Sequence, residues 1–454
     1  MSRPTTAGTR DAKFTYGSTM RHVLVMTSTS SVGLIAIFLV DFANLFYIAQ
    51  LGIEELAAAI GYAGTILFFN SAIGIGLSIA ASATVSRRIG QGDVKGAHRL
   101  VGMSLIISTL ISLAVVAGSL AFLDDMAMLL GASGATLDFT VHFLYIVVPS
   151  MPFLVGAMVL SALLRSVGDA RGAMFVTLSS GFVTAILDPI LIFGFDMGLT
   201  GAAIASVISR VVMVGVGLYI LAIKHQMIGR PEFSKTARDA IDLFKVATPA
   251  MLTNLATPAG SAWIISEMAQ FGDGAVAGYA IVGRIIPVAF GALFALSGAV
   301  GPIIGQNFGA LEFDRLSKVV KDSLLLIVIY TLSAWGLLYI LQEQLVQFFN
   351  AQGDSAALIF FFCTFAAAGF LFNAALFVTN AVFNNLGFPV YSMLFNWGRA
   401  TLGTIPFTIA GAYFYQANGV LAGQAVGGVL FALLAQYVCW RTIEKIRREK
   451  LAVA

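Results

Sequence analysis

Long apolar stretches, each about 20 to 30 residues, recur along this 454-residue chain and limit the folds open to it. A helix of ~20 residues crosses a bilayer, whereas a membrane β-strand has only ~10 residues of alternating polarity. Charged residues make up 11% of the chain, against about a quarter in soluble domains. We therefore predict an all-α integral membrane protein in contact with lipid. Twelve stretches qualify as spans: 20–49, 56–85, 100–122, 139–164, 173–195, 198–223, 241–268, 275–304, 316–341, 356–383, 389–414 and 419–440.

Lysines and arginines are distributed unevenly among the predicted loops. The amino-terminal segment, every second loop and the tail are basic, whereas the intervening loops carry acids such as Glu54, Asp124, Asp196 and Asp273. Positive residues accumulate on the cytoplasmic side, so both termini are predicted to be cytoplasmic, in a multi-pass protein of the inner (plasma) membrane. The first residues lack the apolar core of a signal peptide, and the first span is expected to direct insertion.

The two halves of the chain resemble each other across a long polar connection. LGIEELAAAI from Leu51 is similar to FGDGAVAGYA from Phe271, and GLTGAAIASVIS from Gly198 is similar to GVLAGQAVGGVL from Gly419. Six spans per half make the repeat parallel, with a pseudo-two-fold axis along the membrane normal. We predict two six-helix lobes, 1–223 and 241–454, joined by a cytoplasmic linker, 224–240. Parallel-repeat transporters bind substrate between such lobes; alternatively, the duplication is only historical and the halves pack solidly.

The fifth span contains a carboxylate, Asp188, in an otherwise apolar run. An aspartate at the membrane centre costs ~2.5 to 3.5 kcal/mol, so an unpaired one indicates function. Pro189 follows directly and predicts a kink, because proline lacks the backbone N–H and its ring crowds the preceding turn. Ser180, Thr184 and Asp188 recur every four residues and form one polar stripe, which we expect to face an internal cavity.

The first span carries a second acid, Asp41, with Asn44 one turn later. Where ionisation is disfavoured, protonation near neutral pH becomes accessible, which suits a proton-coupled cycle. The same carboxylates, with Asn44, Thr184 and a carbonyl freed by Pro189, could instead hold Na⁺. A structural ion pair with an intramembrane arginine is the third alternative.

Three arginines and several neutral polar residues also fall within spans. Arg284 could pair with Glu267 across a short turn or bind substrate, and both roles are equally open to Arg210 and Arg399. Interhelical hydrogen bonds explain the neutral polar stripes about as well as a cavity does. The candidate cavity residues are Tyr47, Ser180, Ser206, Asn254, Thr257, Ser261, Arg284, Asn373 and Asn380.

Taken together, ILDPILIFGFDMGLTGAAIASVIS from Ile186, Asp41 followed by Leu51-Gly52, and the six-plus-six repeat resemble the multidrug and toxic compound extrusion (MATE) family. The resemblance implies two six-helix lobes in a V and antiport of amphipathic, often cationic, compounds against H⁺ or Na⁺. By it, Asp41 and Asp188 match the paired carboxylates of the prokaryotic branch related to DNA-damage-inducible members. Another bacterial branch has acids where this chain holds Thr257 and Ala375.

The sequence thus predicts a secondary efflux antiporter working by alternating access, not an enzyme. We expect a monomer with no cofactor besides the coupling ion, no nucleic-acid partner and no metal site other than possible Na⁺ at Asp41 and Asp188. One alternative is a flippase or exporter of a lipid-linked or anionic amphiphile, which the intramembrane arginines keep open. An intramembrane aspartyl protease fits less well, because no G-x-G-D motif occurs.

Overall fold

A computed structural model describes residues 12–49, 54–230 and 232–451, apart from the side chains of a few helical residues that include Asp41 and Asn44. Within these ranges every regular element is helical, which confirms the all-α prediction. The α-helices are α1 (Thr19–Ala49), α2 (Glu54–Gly90), α3 (Val94–Ala121), α4 (Leu123–Leu129), α5 (Gly134–Val147), α6 (Met151–Ser166), α7 (Ala170–Pro189), α8 (Gly198–Leu218), α9 (Phe233–Ala269), α10 (Asp273–Gly309), α11 (Phe313–Ile340), α12 (Gln342–Phe348), α13 (Gly353–Thr364), α14 (Phe370–Leu386), α15 (Pro389–Ala400) and α16 (Ile405–Leu451). Two π-helical segments, Ile190–Gly194 and Tyr219–Lys224, follow α7 and α8.

Ten helical stretches in the described chain are long and apolar enough to cross a membrane. The predicted seventh span lies in the long but more polar α9, and the last two predicted spans lie in one apolar stretch, Pro389–Lys450. That stretch is interrupted within α16 by non-helical backbone at Tyr415 and Gln416. The twelve predicted spans therefore all have helical counterparts.

The chain divides into two compact units. Unit 1 contains Val32–Met251, and unit 2 contains Phe14–Ser31 together with the described residues from Leu252 onwards. The first helix of each sequence half, α1 and α9, therefore contributes residues to both units. The lobe boundaries predicted from the sequence stay a prediction.

Small residues allow the helices of unit 1 to approach closely, as membrane helix packing requires. A Cβ at Gly201 of α8 would lie 2.8 Å from the carbonyl oxygen of Leu191, and one at Gly217 would lie 3.0 Å from the Leu160 side chain. Ala202 and Ala205 are fully buried on the same helix. This agrees with the close packing expected for the small residues of the GLTGAAIAS segment.

Unit 2 is held together by stacked aromatic rings and by a close contact between α16 and the turn that precedes it. The rings of Phe290 and Phe370 stack with centroids 4.3 Å apart. A Cβ at Gly427 of α16 would overlap the carbonyl oxygen of Gly403, so this position requires glycine. Gly403 lies in the turn 401–404, which interrupts the predicted eleventh span near its middle.

Candidate functional site

Asp188 lies at the end of α7, in the interior of unit 1. Its residue is 1% exposed, and its Oδ1 has no hydrogen-bond partner among the described residues. Thr184, one turn earlier, is also buried, and Ser180 is half-buried. A buried carboxylate oxygen without a donor is costly when charged, so it favours binding a proton or a cation.

The face of α7 that carries Asp188 is turned toward α1. A Cβ at Gly33 of α1 would lie 3.2 Å from Thr177, and one at Gly181 would lie 3.3 Å from Val40. Thr177, Gly181, Thr184 and Asp188 form one stripe at positions i, i+4, i+7 and i+11. The contacts at Thr177 and Gly181 therefore place the whole stripe on the α1 side of α7.

These contacts also give the relative level of the two helices. Gly33 pairs with Thr177, and Val40, further along α1, pairs with Gly181, so the two helices run in the same direction. At ~1.5 Å per residue, continuing from the Val40–Gly181 pair brings the α1 turn 41–44 level with residues 182–185 of α7, about one turn before Asp188. The backbone of α1 is helical there, but the side chains of Asp41 and Asn44 lie outside the described residues.

The helix changes character directly after Asp188 and Pro189. Where the sequence predicted a kink, hydrogen bonding switches from α to π over Ile190–Gly194. Such π-helical turns are frequent at functional sites. The Tyr47 ring of α1 meets the Phe193 ring of this segment edge-on, with centroids 5.9 Å apart. The π-helical segment therefore also contacts α1.

Ser206 of α8, another predicted cavity residue in unit 1, is half-buried.

In unit 2, the predicted cavity residue Asn380 takes part in a buried network between α14 and α15. Asn396 Nδ2 donates to Asn380 Oδ1 at 3.0 Å, and Ser392 Oγ donates to Asn384 Oδ1 at 3.2 Å. These bonds match the interhelical alternative that the sequence left open. On α9, Asn254 is half-buried and Thr257 is exposed.

A second polar cluster in unit 2 surrounds Arg399 at the end of α15. Arg399 Nη1 donates to Asn373 Oδ1 at 3.3 Å, and the guanidinium lies close enough to the Tyr279 hydroxyl for an electrostatic interaction. The same hydroxyl lies close enough to the Ser261 and Gln424 side chains to interact with them. Arg399 Nε is buried without a hydrogen-bond partner in the part of the chain that the structure describes. We call these five residues the Arg399 cluster.

The other two intramembrane arginines have different surroundings. Arg210 Nη1 donates to the Val147 carbonyl at 3.1 Å and to Ser150 Oγ at 2.7 Å, where α5 gives way to a short 3₁₀ turn. This contact satisfies a carbonyl at a helix end and is structural. Arg284 is exposed, and no ion pair joins it to Glu267 among the described residues.

Sequence reasoning identified Ser261 and Asn373 but not their connection to Arg399, and it missed Tyr279 and Gln424 altogether. The five members of the cluster come from α9, α10, α14, α15 and α16. A periodicity within one helix finds a stripe, but it does not show which stripes converge. The one sequence signal for these five residues was that each is polar and lies inside an apolar span.

Comparison with known proteins gives a consistent result. Residues 30–190 and 249–410 match a family model described as MatE. The chain is 27% identical over 438 residues to a protein named FAD transporter from Shewanella oneidensis, with 94% of this chain and 96% of that one covered. It is 26% identical to the multidrug export protein MepA of Staphylococcus saprophyticus, with 87% and 86% covered. A crystal structure of a mutant MATE transporter VcmN from Vibrio cholerae superposes with a TM-score of 0.88 at 23% identity, covering 95% and 97%. The chain therefore belongs to the MATE family.

Proposed function

We propose that this member of the MATE family is an antiporter that exports amphipathic organic compounds in exchange for H⁺ or Na⁺. As a member of this family, the chain is a multi-pass transporter of the cell membrane. We further propose an inner-membrane location with cytoplasmic termini, because the basic loops alternate along the sequence. A monomer stays the expectation from the sequence.

The observation that carries the proposal is the orphaned carboxylate oxygen of Asp188. A cation arriving from outside neutralises Asp188, and the sequence-based expectation that Asp41 and Asn44 share this ion is part of the proposal. Neutralisation removes the penalty for burying the charge and so favours a repacked unit 1. Export follows if that repacked state binds substrate less well, because cation and substrate then oppose each other's binding.

The transported compound is either the organic cation that the family resemblance implies or an anionic amphiphile. The MepA relatives are multidrug export proteins and support a broad amphipathic specificity. The relative named FAD transporter supports the anionic alternative, since FAD carries a pyrophosphate. The uncompensated charge of Arg399 favours the same alternative.

Efflux from proteoliposomes tests the exchange. Purified protein would be given ethidium or FAD inside the vesicles, with H⁺ and Na⁺ gradients imposed separately. We expect one gradient to drive export in the parent and neither to drive it in Asp188→Asn or Asp41→Asn. Asp196→Asn is the matched control, because Asp196 is exposed and its φ of 55° suits asparagine equally well. Export that persists at the parental rate in Asp188→Asn would overturn the proposal.

A further inference from the structure

The guanidinium of Arg399 carries a charge that unit 2 does not neutralise. No carboxylate of the described chain forms an ion pair with it, and its side-chain hydrogen bond to Asn373 is long at 3.3 Å. A guanidinium has five N–H donors in a planar fork. The Nε donor, on the edge of that fork, is buried and unmet. Burying such a group without a partner is unfavourable, so the cluster is complete only when an acceptor joins it.

The contrast with Arg210 separates a structural arginine from one that awaits a ligand. Arg210 of α8 bonds to the Val147 carbonyl and to Ser150 Oγ, both at the break that follows α5, and so ties α8 to that break. Among the described residues, the Arg399 side chain bonds to no backbone carbonyl, and its partners are the neutral side chains of Asn373 and Tyr279. Cohesion between helices therefore explains Arg210 and does not explain Arg399.

The position of Arg399 in the fold also suits a binding site. Helix α15 ends at Ala400, and the chain turns through 401–404 before α16 begins at Ile405. Irregular backbone at membrane depth is tolerated where it is buried in protein or lines a cavity, and broken helices of transporters commonly form substrate sites. On the amino-terminal side of the break, Trp397 Nε1 donates to the Leu252 carbonyl at 2.9 Å and anchors α15 to α9.

The neighbours of Arg399 can contribute further hydrogen bonds to an anion. Asn373 and Gln424 carry amide N–H donors, and Tyr279 and Ser261 carry hydroxyls that can turn toward an acceptor. Each comes from a different helix, so the donors converge on one place from several sides. Arginine in such a setting recognises carboxylate and phosphate oxygens through its fork.

We propose that the Arg399 cluster binds the anionic group of the transported compound, so that the substrate class is an amphipathic organic anion bearing a phosphate or carboxylate. This inference rests on the proposed efflux function and names its substrate class. The anion occupies the unmet edge of the guanidinium in unit 2, while the coupling cation binds at Asp188 in unit 1. The same chemistry is offered by a soluble organic phosphate and by an anionic lipid headgroup.

The test is equilibrium binding to the purified full-length protein in neutral detergent, with no gradient. FAD is the anionic probe, ethidium is the cationic probe, and phosphatidylglycerol is added as competitor in a separate arm. Arg399→Gln removes the charge, and Arg399→Lys keeps the charge but loses the fork. Arg441→Gln is the matched charge-removal control, because Arg441 is exposed on α16 and interacts with Tyr437 one turn earlier on the same helix.

We expect the parent and Arg441→Gln to bind FAD equally, Arg399→Gln to bind it at least tenfold more weakly, and Arg399→Lys to fall between them. Ethidium binding should not weaken in any variant. Asn373→Ala should weaken FAD binding several-fold, which provides a second variant if Arg399→Gln does not fold. Arg399-dependent competition by phosphatidylglycerol supports the site and identifies a lipid headgroup as its ligand.

Two results would overturn the inference: a parent that binds neither FAD nor phosphatidylglycerol, or folded Arg399→Gln and Asn373→Ala variants that bind them as the parent does. Failure of the proposed function is distinguishable. If FAD binds through Arg399 but no gradient drives efflux, the antiport proposal fails and the anion site stands. If a gradient drives ethidium efflux and no anion binds, the reverse holds.

Discussion

The two aspartates at the ends of α7 differ in how completely their carboxylates are hydrogen-bonded. Asp169 caps the amino-terminal end and accepts from the Gly172 N–H at 2.8 Å. It also lies 2.9 Å from Lys224 Nζ and 2.6 Å from His225 Nε2. Asp188, at the other end, has an oxygen without any described partner. A fully paired carboxylate stabilises the fold, whereas an incompletely paired one is able to bind and release a cation.

Asp169 predicts a specific dependence of stability on pH. Burial alone would raise the pKa of Asp169, but the bonds from His225, Lys224 and the Gly172 N–H outweigh it and lower the pKa to about 2. A depressed pKa means that the charged form stabilises the fold above about pH 4 and that this contribution is lost as the pH falls toward 2. Asp169→Asn keeps the cap but loses the ion pairs. We expect it to lower the free energy of unfolding at pH 7 by on the order of 2 kcal/mol.

Thermal unfolding of parent and Asp169→Asn in detergent, followed from pH 7 to pH 3, measures this contribution. The difference between the two curves should stay constant down to about pH 4 and then narrow as the pH falls to 3. Asp169→Ala should be less stable than Asp169→Asn at every pH, because it also loses the cap. A constant difference between parent and Asp169→Asn over the whole pH range would contradict the assignment.

At the scale of elements, the segment between α8 and α9 and the first turns of α9 are packed into unit 1 rather than extended from it. Arg99 of α3 forms a buried ion pair with Asp239 and approaches Glu232 at 3.6 Å. Gly229 N–H donates to the His98 carbonyl at 3.0 Å. The contact is close: a Cβ at Gly102 would lie 2.1 Å from the Gly229 carbonyl oxygen.

Two glycines of α3 give a matched test of this docking. Gly102→Ala should displace the segment and destabilise unit 1 by roughly 1 to 3 kcal/mol, as overpacking does. Gly118→Ala, with open space around its Cβ, should leave stability unchanged or raise it slightly. Trypsin cleavage after Lys235 and the apparent Tm report the two effects. Equal cleavage rates in the two variants would show that the segment is not held where the structure places it.

Hydropathy predicted the existence of the membrane helices but not their ends or their breaks. The predicted second span ended at residue 85, whereas α2 continues to Gly90, because a helix need not stop where the bilayer does. The predicted tenth span is two helices separated by a 3₁₀ turn at Ala366–Gly369. Hydropathy does not detect such a break, because it measures the transfer of side chains to lipid and not the backbone geometry.

At the scale of the molecule, the internal repeat was visible in the sequence, but the division of α1 and of α9 between the two units was not. Phe14 N–H donates to Gln306 Oε1 at 3.0 Å, and Arg315 donates to the Phe14 and Gly17 carbonyls, which ties residues before α1 into unit 2. Such contacts join positions about 300 residues apart, and one sequence without homologues does not reveal them. Asp188 was predictable because a lone acid in an apolar run is conspicuous by itself. The Arg399 cluster was not predictable, because each member is an ordinary polar residue in the sequence and only the fold brings the five together.

The central claim is that substrate and coupling cation exclude each other. It is tested most directly by ion release on binding. Purified protein in weakly buffered detergent solution would be mixed with FAD or ethidium, whichever binds, while a pH indicator and a Na⁺-sensitive dye are read together. We predict release of H⁺ or Na⁺ in proportion to bound substrate in the parent and in Asp196→Asn, and none in Asp188→Asn. Saturable substrate binding that releases neither ion from the parent would contradict the account.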